Sequence, residues 1–334
     1  MIDIIIPAYN CSKTLPKLLA SIGAQTQPNK CIVTIVDDCS TEDLKPIIKD
    51  FKKYFNIKLQ YIRLEENLKW PGLVRQVGLE KTNAPYVMFL DSDDFLSPRA
   101  VELANREMRC TDADVIIGHF YGQKSNKQWC LLDEDQTTWL HGNIYKRKFL
   151  LENNIYFESL YNEDGAFNTE CFILAKTISY LPEPLYFWSY NSSSITKSEY
   201  FAINNLQFFV KSLQRAYEKI FSKPHSGLAY SHLGQHIWGF YTKFDGELRK
   251  MSLEKNDNAE QSNLLFSLAL KDFSDFLKNH YFTNNQKKKI KEGFLKGYLR
   301  LEVEGDYISI EDFINKFNFK ELIGDWNINE SSNN

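Results

Sequence analysis

Short apolar runs that scarcely alternate with polar residues constrain this chain more than any other feature. They fall at residues 2–6, 31–36, 59–64, 86–90 and 115–118, and several are near-continuous stretches of Val, Ile, Leu and Phe. Strands of that composition are buried on both faces, as in a parallel sheet covered by helices. Between them lie helically spaced stretches near 13–25, 43–54, 73–82 and 98–108. Ser97-Pro98 reads as an N-cap followed by proline at the first helical position. This alternation predicts a doubly wound α/β domain, Rossmann-like and mostly parallel, with helices on both faces. Residues 128–196 read as mixed, with helices over 146–153 and 165–175 and short strands over 179–181 and 185–190. Beyond residue 198 the apolar spacing approaches 3.6 residues. It predicts helices over 202–221, 225–251, 261–278 and 286–301, the first two parted at Lys223-Pro224. The expected organisation is an α/β domain over 1–200 and a mainly helical region over 201–330, with Glu330–Asn334 frayed.

Composition excludes several classes. At 334 residues, 43 % hydrophobic and 25 % charged, the chain is neither disordered nor collagen-like. A net charge of −3 excludes polyanion binding by overall charge. The charge is uneven, however. Residues 201–300 carry 16 Lys/Arg and 9 Asp/Glu, a net +7, whereas residues 1–200 carry 22 and 26 and residues 301–334 carry 2 and 8. The basic block reads first as a solvated helical face and second as an anion-facing surface. The six cysteines form no CxxC pair and match no zinc spacing. The chain opens on a strand pattern rather than a signal peptide, and no run reaches the roughly 18 apolar residues of a membrane span. The expectation is a cytoplasmic protein with reduced thiols and no transmembrane segment.

In open parallel sheets, ligands bind at the carboxyl ends of the strands. Three polar clusters stand there: Pro7-Ala8-Tyr9-Asn10, Asp37-Asp38-Cys39-Ser40 and Asp91-Ser92-Asp93-Asp94. Taken singly, the acidic ones read as helix caps or turns. Together they offer hard oxygen ligands to a divalent cation and point to a metal–nucleotide site. The chain has no GxGxxG after its first strand and no GxxxxGK[ST], which excludes a dinucleotide fold and a P-loop. A metal bridging two carboxylates and a diphosphate could substitute for such a glycine-rich cradle. Arg75, after Trp70-Pro71-Gly72, is either a bidentate phosphate contact or a helix-surface arginine beside Glu80.

These residues resemble family 2 glycosyltransferases with the GT-A fold. The resemblance rests on residues 5–10, on 36–40 and on Phe89-Leu90-Asp91-Ser92-Asp93-Asp94. It also rests on Asn67 through Gly78, on His141-Gly142-Asn143-Ile144-Tyr145-Lys146-Arg147, on Asn162-Glu163-Asp164-Gly165 and on Ser194-Ile195-Thr196. It implies a metal-dependent, inverting transfer of sugar from a UDP-sugar to an acceptor hydroxyl. Pro7, Ala8, Tyr9 and Asp38 would line the uridine pocket, with Asp37 beside them and Gly72 in the segment before the DxD strand. Asp91-Ser92-Asp93 would be the DxD motif. Asp93 would ligate Mn²⁺ or Mg²⁺, and Asp91 would serve the ribose or the metal shell. Asp164 would be the general base, with Glu163 close by. Where relatives carry Arg and His before the Ser-Ile-Thr segment, this chain has Ser189 and Asn191, and Asn191 can offer an amide oxygen to the metal.

The acceptor is expected to be a surface glycan or a lipid-linked glycan, with the helical region shaping its site or a homo-oligomer. A second reading draws on the basic block. Lys287, Lys288, Lys289, Lys291, Arg249 and Lys250 would contact phosphates, and Trp238, Tyr241, Tyr281 and Phe282 would stack on a hydroxymethylated base displaced from DNA. A third places the block against anionic lipid head groups. A phosphatase reading of Asp91-Ser92-Asp93 fits poorly, because the motif does not end the first strand. A protein that binds nucleotide-sugars without turnover is the remaining alternative.

Overall fold

A computed structural model describes residues 1–132, 139–158, 163–192, 201–223 and 228–304. The chain divides into two compact units, Met1–Ser192 and Ser193–Asn334. In the first, β1 (Ile2–Ala8), β2 (Cys31–Asp37), β3 (Lys58–Arg63) and β4 (Tyr86–Phe89) lie in the order 3-2-1-4, all parallel. Ile4, Ile5, Val33, Ile35 and Val87 are fully buried, as expected for strands covered on both faces. Helices α1 (Leu15–Gly23), α2 (Lys45–Tyr54), α3 (Pro71–Lys81) and α4 (Ala100–Thr111) connect them. Gly78 lets α3 lie close on the sheet, since a Cβ there would stand 2.4 Å from Ile5 Cγ2.

The sheet is less parallel than the sequence predicts. β8 (Ile144–Lys146) runs antiparallel to both β4 and β6 (Val115–Gln123). β9 (Ile178–Trp188) then pairs parallel with β6, and the short β5 (Phe95–Leu96) and β7 (Trp129–Leu132) close the edges antiparallel. The two strands expected at 179–181 and 185–190 are one. Register shifts between Gly118 and Phe120 absorb Pro182 and Pro184. The fourth helix begins at Ala100 rather than at Pro98, because Ser97 N–H donates to Leu185 O and ties this segment to β9. Helices α5 (Arg147–Glu152) and α6 (Glu163–Leu174) complete the unit.

The second unit is helical, as predicted: α7 (Phe201–Asn204), α8 (Leu206–Phe221), α9 (Leu228–Leu253), α10 (Ala259–Lys278) and α11 (Asn284–Glu304). The stretch predicted as one helix over 202–221 is two. Backbones of α9 and α11 nearly touch: a Cβ on Gly234 would lie 2.0 Å from Ile290 O, and one on Gly293 would lie 1.9 Å from Ser231 O. The Pro224 break, the Ser194-Ile195-Thr196 segment, Asn162 and the terminal residues fall outside the described residues. Among the described residues no helix is long and apolar enough to cross a membrane.

The base-stacking reading of this unit is corrected. Trp238 and Phe282 are core residues, 2 % and 6 % exposed, so neither offers a face to a base. Tyr281 is exposed, and the Tyr241 side chain is outside the described residues. The cations are partly neutralised in place: Arg249 donates to Asp245 at 2.6 Å, and Lys250 and Lys288 pair with Glu254 and Glu292 one turn on. The bland reading of a solvated helical face describes these pairs better.

Candidate active site

The carboxyl ends of β1, β2 and β4 come together, as topology requires. At β2, Asp37 is buried, and its carboxylate accepts Ser40 N–H, Tyr61 O–H and Arg63 Nη1, the last at 2.8 Å. Burial works to raise its carboxyl, but the bonds from Ser40 and Tyr61 and the Arg63 charge outweigh it and hold it below the ordinary value. Both oxygens are engaged within the protein, so Asp37 fastens the turn that follows β2. Asp38 accepts Leu68 N–H at 2.7 Å and Lys69 N–H at 3.3 Å, and its own N–H donates to Ala8 O. It therefore joins the end of β1 to the loop carrying Asn67. Pro7 and Ala8 end β1 opposite Val36 and Asp37, and Tyr9 is half exposed just beyond. Cys39 and Asn10 both take positive φ, 56° and 47°. The turn after Asp38 thus needs the conformation that a glycine adopts without strain, and Cys39 bears its cost.

At β4 the sequence placed Arg75 either on a phosphate or at the helix surface beside Glu80. It is not at the surface: Glu80 pairs with Gln76, and Arg75 is buried. Its Nη2 donates to Asp91 Oδ1 at 2.6 Å and its Nη1 to Glu163 Oε1 at 3.1 Å. One guanidinium therefore bridges two carboxylates 72 positions apart in sequence, Asp91 at the end of β4 and Glu163 at the start of α6. Gly72 makes the approach fit, since a Cβ there would stand 2.4 Å from Glu163 Cγ and 3.2 Å from Glu158 O. Burial tends to raise the Asp91 carboxyl, yet Arg75 overrides it and keeps Asp91 ionised. Burial and the adjacent Asp164 push Glu163 up to about 7, against the pull of Arg75. Asp164 caps its own helix start, accepting Gly165 N–H at 2.8 Å.

Asp93 accepts the Asn191 side-chain amide at 2.9 Å, so the expected partners Asp93 and Asn191 do meet. Burial raises the Asp93 carboxyl, with Asp91 adding to it. Ser92 stands between them and hydrogen-bonds the buried Cys11 thiol, which burial pushes up to about 11.

Two residues with no individual role expected from the sequence belong to the site by position. Asp94 is buried and accepts Tyr186 O–H and Ser189 N–H; burial and its acidic neighbours raise it well above the ordinary range. His141 lies with Nε2 3.9 Å from Asp91 Oδ2, and ligand atoms of Asp91, Asp94 and His141 lie within 4.8 Å of one another. Its ring sits among Phe120, Trp139, Tyr186 and Trp188. Burial drives it down to about 4, which keeps the imidazole neutral at pH 7. The signal for His141 was present in its own segment, directly before Gly142, whose φ is +78°. Asp94 gave no signal beyond its neighbours.

These groups fit a divalent cation. Asp91 and Asp93 offer hard oxygens, and buried His141 Nδ1 has no hydrogen-bond partner among the described residues. Asp94 is the poorer ligand, because its oxygens already accept two bonds.

Residues 3–163 match the profile of "Glycosyl transferase family 2". The match covers 161 of the 334 residues, and over them the chain is similar to family 2 glycosyltransferases. Poly(ribitol-phosphate) beta-N-acetylglucosaminyltransferase TarS of Staphylococcus aureus is 28 % identical over 202 residues, 56 % of this chain and 35 % of that protein. Glycosyltransferase GlyA of Streptococcus pneumoniae is 27 % identical over 233 residues, 59 % and 31 % of the two. The chain thus spans about a third of the length of these relatives. Among solved structures, residues 1–349 of S. aureus TarS with UDP-GlcNAc superpose with a TM-score of 0.69 at 20 % identity, over 92 % of this chain and 93 % of that one. The mannosyltransferase PcManGT of Pyrobaculum calidifontis, in complex with GDP-Man and Mn²⁺, gives 0.52 at 15 % identity, over 89 % and 86 %. The chain therefore has the GT-A fold, mixed sheet and helical C-terminal region included.

Proposed function

We propose that this chain is a metal-dependent, inverting glycosyltransferase that moves a sugar from a UDP-sugar to a hydroxyl of a surface glycan, of the polyol-phosphate kind named for its relatives. The observation that carries the reading is the Arg75 bridge between Asp91 and Glu163. It holds a cation-binding carboxylate and the Glu163-Asp164 pair in one fixed arrangement, as a displacement at a sugar carbon requires.

The residues divide the work. The loop that Asp38 fastens and the end of β1 hold the base. Asp91, Asp93 and the neighbouring Asn191 and His141 would hold a divalent cation, which would supply positive charge beside the departing diphosphate. Asp164 takes the proton of the acceptor hydroxyl as the oxygen attacks from the opposite face of the sugar ring, which inverts the anomeric centre. Glu163 stays beside it, partly protonated near pH 7, and limits the negative charge next to the base. We assign acceptor binding or self-association to the helical unit. Calorimetric titration with UDP and UDP-sugars, with and without Mn²⁺, tests the donor half of the reading. Metal-dependent UDP binding that Asp93→Ala weakens supports it, and metal-independent binding overturns the cation assignment.

A further inference from the structure

At the sheet edge beside Asp93, alternate residues of β6 and β9 face opposite sides. Phe120, Tyr186 and Trp188 turn toward His141, with ring centroids at 5.0, 4.8 and 5.8 Å. Tyr121 and Phe187 turn the other way and form one cross-strand row with Phe95 of β5. The rings stack: Phe95 on Phe187 at 4.8 Å and 5°, Tyr121 on Phe187 at 5.1 Å and 22°. Both faces of Phe187 are therefore occupied. Trp129 of β7 stands perpendicular to Phe187 at 5.3 Å and to Phe95 at 5.7 Å. Such perpendicular, edge-to-face contacts are the electrostatically favoured arrangement of aromatic rings. Trp129 is the exposed member of the group, at 37 %.

Cations border this platform. Lys17 Nζ lies 3.8 Å over the Phe95 ring and feels the charge of Asp94. Lys127 Nζ lies 5.4 Å from the Tyr190 ring centre, and Tyr190 N–H donates to Gln123 of β6. The platform is continuous with the candidate site. Phe95 directly follows Asp94, and Tyr190 directly precedes Asn191, whose amide holds Asp93.

We infer that Trp129, on its stack of Phe95, Phe187 and Tyr121, is a subsite for the acceptor chain, and that this chain is an anionic glycan whose repeat joins a polyhydroxylated carbon skeleton to phosphate. The naming of the occupant as acceptor rests on the transferase reading; the binding itself does not. An indole face is electron-rich, and the C–H faces of a sugar or polyol carry the complementary partial charge. Stacking there leaves the hydroxyls in water, so no polar group is stranded. The two lysines supply what a phosphate in the repeat needs and a neutral glycan does not.

The test uses the full chain and a ribitol-phosphate oligomer, compared with a neutral glucan of equal length and with oligo(dT). Trp129→Ala should weaken oligomer binding at least about tenfold, and Trp129→Phe should restore part of it. Lys127→Glu should weaken it too and flatten its salt dependence. UDP binding should be unchanged in all three variants, since none of these residues serves the donor. Unchanged oligomer affinity in Trp129→Ala overturns the subsite. No oligomer binding by the wild-type chain does the same, as does equal or tighter binding of the glucan or oligo(dT). Loss of UDP-sugar binding in the wild type, with Trp129-dependent oligomer binding intact, overturns the transferase reading and leaves the subsite standing.

Discussion

Arg75→Met keeps the bulk of the side chain and removes its charge. Asp91 and Glu163 then lose a guanidinium that lies 2.6 Å from one and 3.1 Å from the other. Stripping one partner from a buried ion pair costs about 3–5 kcal/mol. The Asp91 side chain is 34 % exposed, so water screens part of that loss. Glu163 can take up a proton instead of remaining charged. We expect a net cost of about 2–4 kcal/mol at pH 7. For a unit spanning Met1–Ser192, that lowers the melting temperature by roughly 4–16 °C. The pH dependence has a definite sign. Glu163 titrates at about 7 when folded, above its ordinary 4.5, so the folded state holds the extra proton between those values and stability falls as pH rises through them. Without Arg75 the carboxyl rises further, and the falling window extends above pH 7. Asp91, held below its ordinary value by Arg75, loses a stabilisation that is present only at higher pH, which acts in the same direction. Thermal melts of both proteins at pH 5, 6.5 and 8 should show a deficit smallest at pH 5 and widest at pH 8. A deficit that is flat, or that shrinks as pH rises, would refute the buried charge bridge.

Gly72→Ala places a methyl group 2.4 Å from Glu163 Cγ, and should cost about 1–3 kcal/mol in urea melts while lowering turnover further by displacing Glu163. Asp38→Ala frees the Leu68 and Lys69 N–H groups, and calorimetry should show UDP binding weakened about tenfold, or about 1.4 kcal/mol, with the strand core intact. In the helical unit, half-buried His236 hydrogen-bonds Tyr217 O–H at 2.9 Å, and desolvation drives it down to about 3. The unfolded chain binds that proton below its ordinary 6.5, so the stability of this unit should fall as pH drops from 6.5. His236→Gln should flatten that slope, and an unchanged slope would place its origin elsewhere.

The parallel half of the sheet was legible because its strands carry near-continuous apolar runs, which only a sheet buried on both faces accommodates. β8 and β7 were not. Ile144–Lys146 and Trp129–Leu132, of three and four residues, are too short to display a period. β9 was split in two because Pro182 and Pro184 read as breaks, whereas a register shift against β6 carries them. In the site, the acidic clusters were legible because Asp at strand ends is a local pattern. The carboxylate partners of Arg75 were not legible, because Asp91 and Glu163 meet it only after folding, while Glu80 lay nearby on the same helix. His141 was in plain view within its segment, but its closeness to Asp91 depends on β8 lying antiparallel to β4, which no local pattern records.

The most direct measurement is UDP release from a panel of UDP-sugars, with a ribitol-phosphate acceptor and with Mn²⁺ or a chelator. Wild-type protein should release UDP from one preferred sugar, and acceptor should speed the release. The chelator and Asp93→Asn should each abolish it. Asp164→Asn should bind the donor normally and transfer no sugar. Undiminished release by Asp93→Asn, or full transfer by Asp164→Asn, would contradict the account.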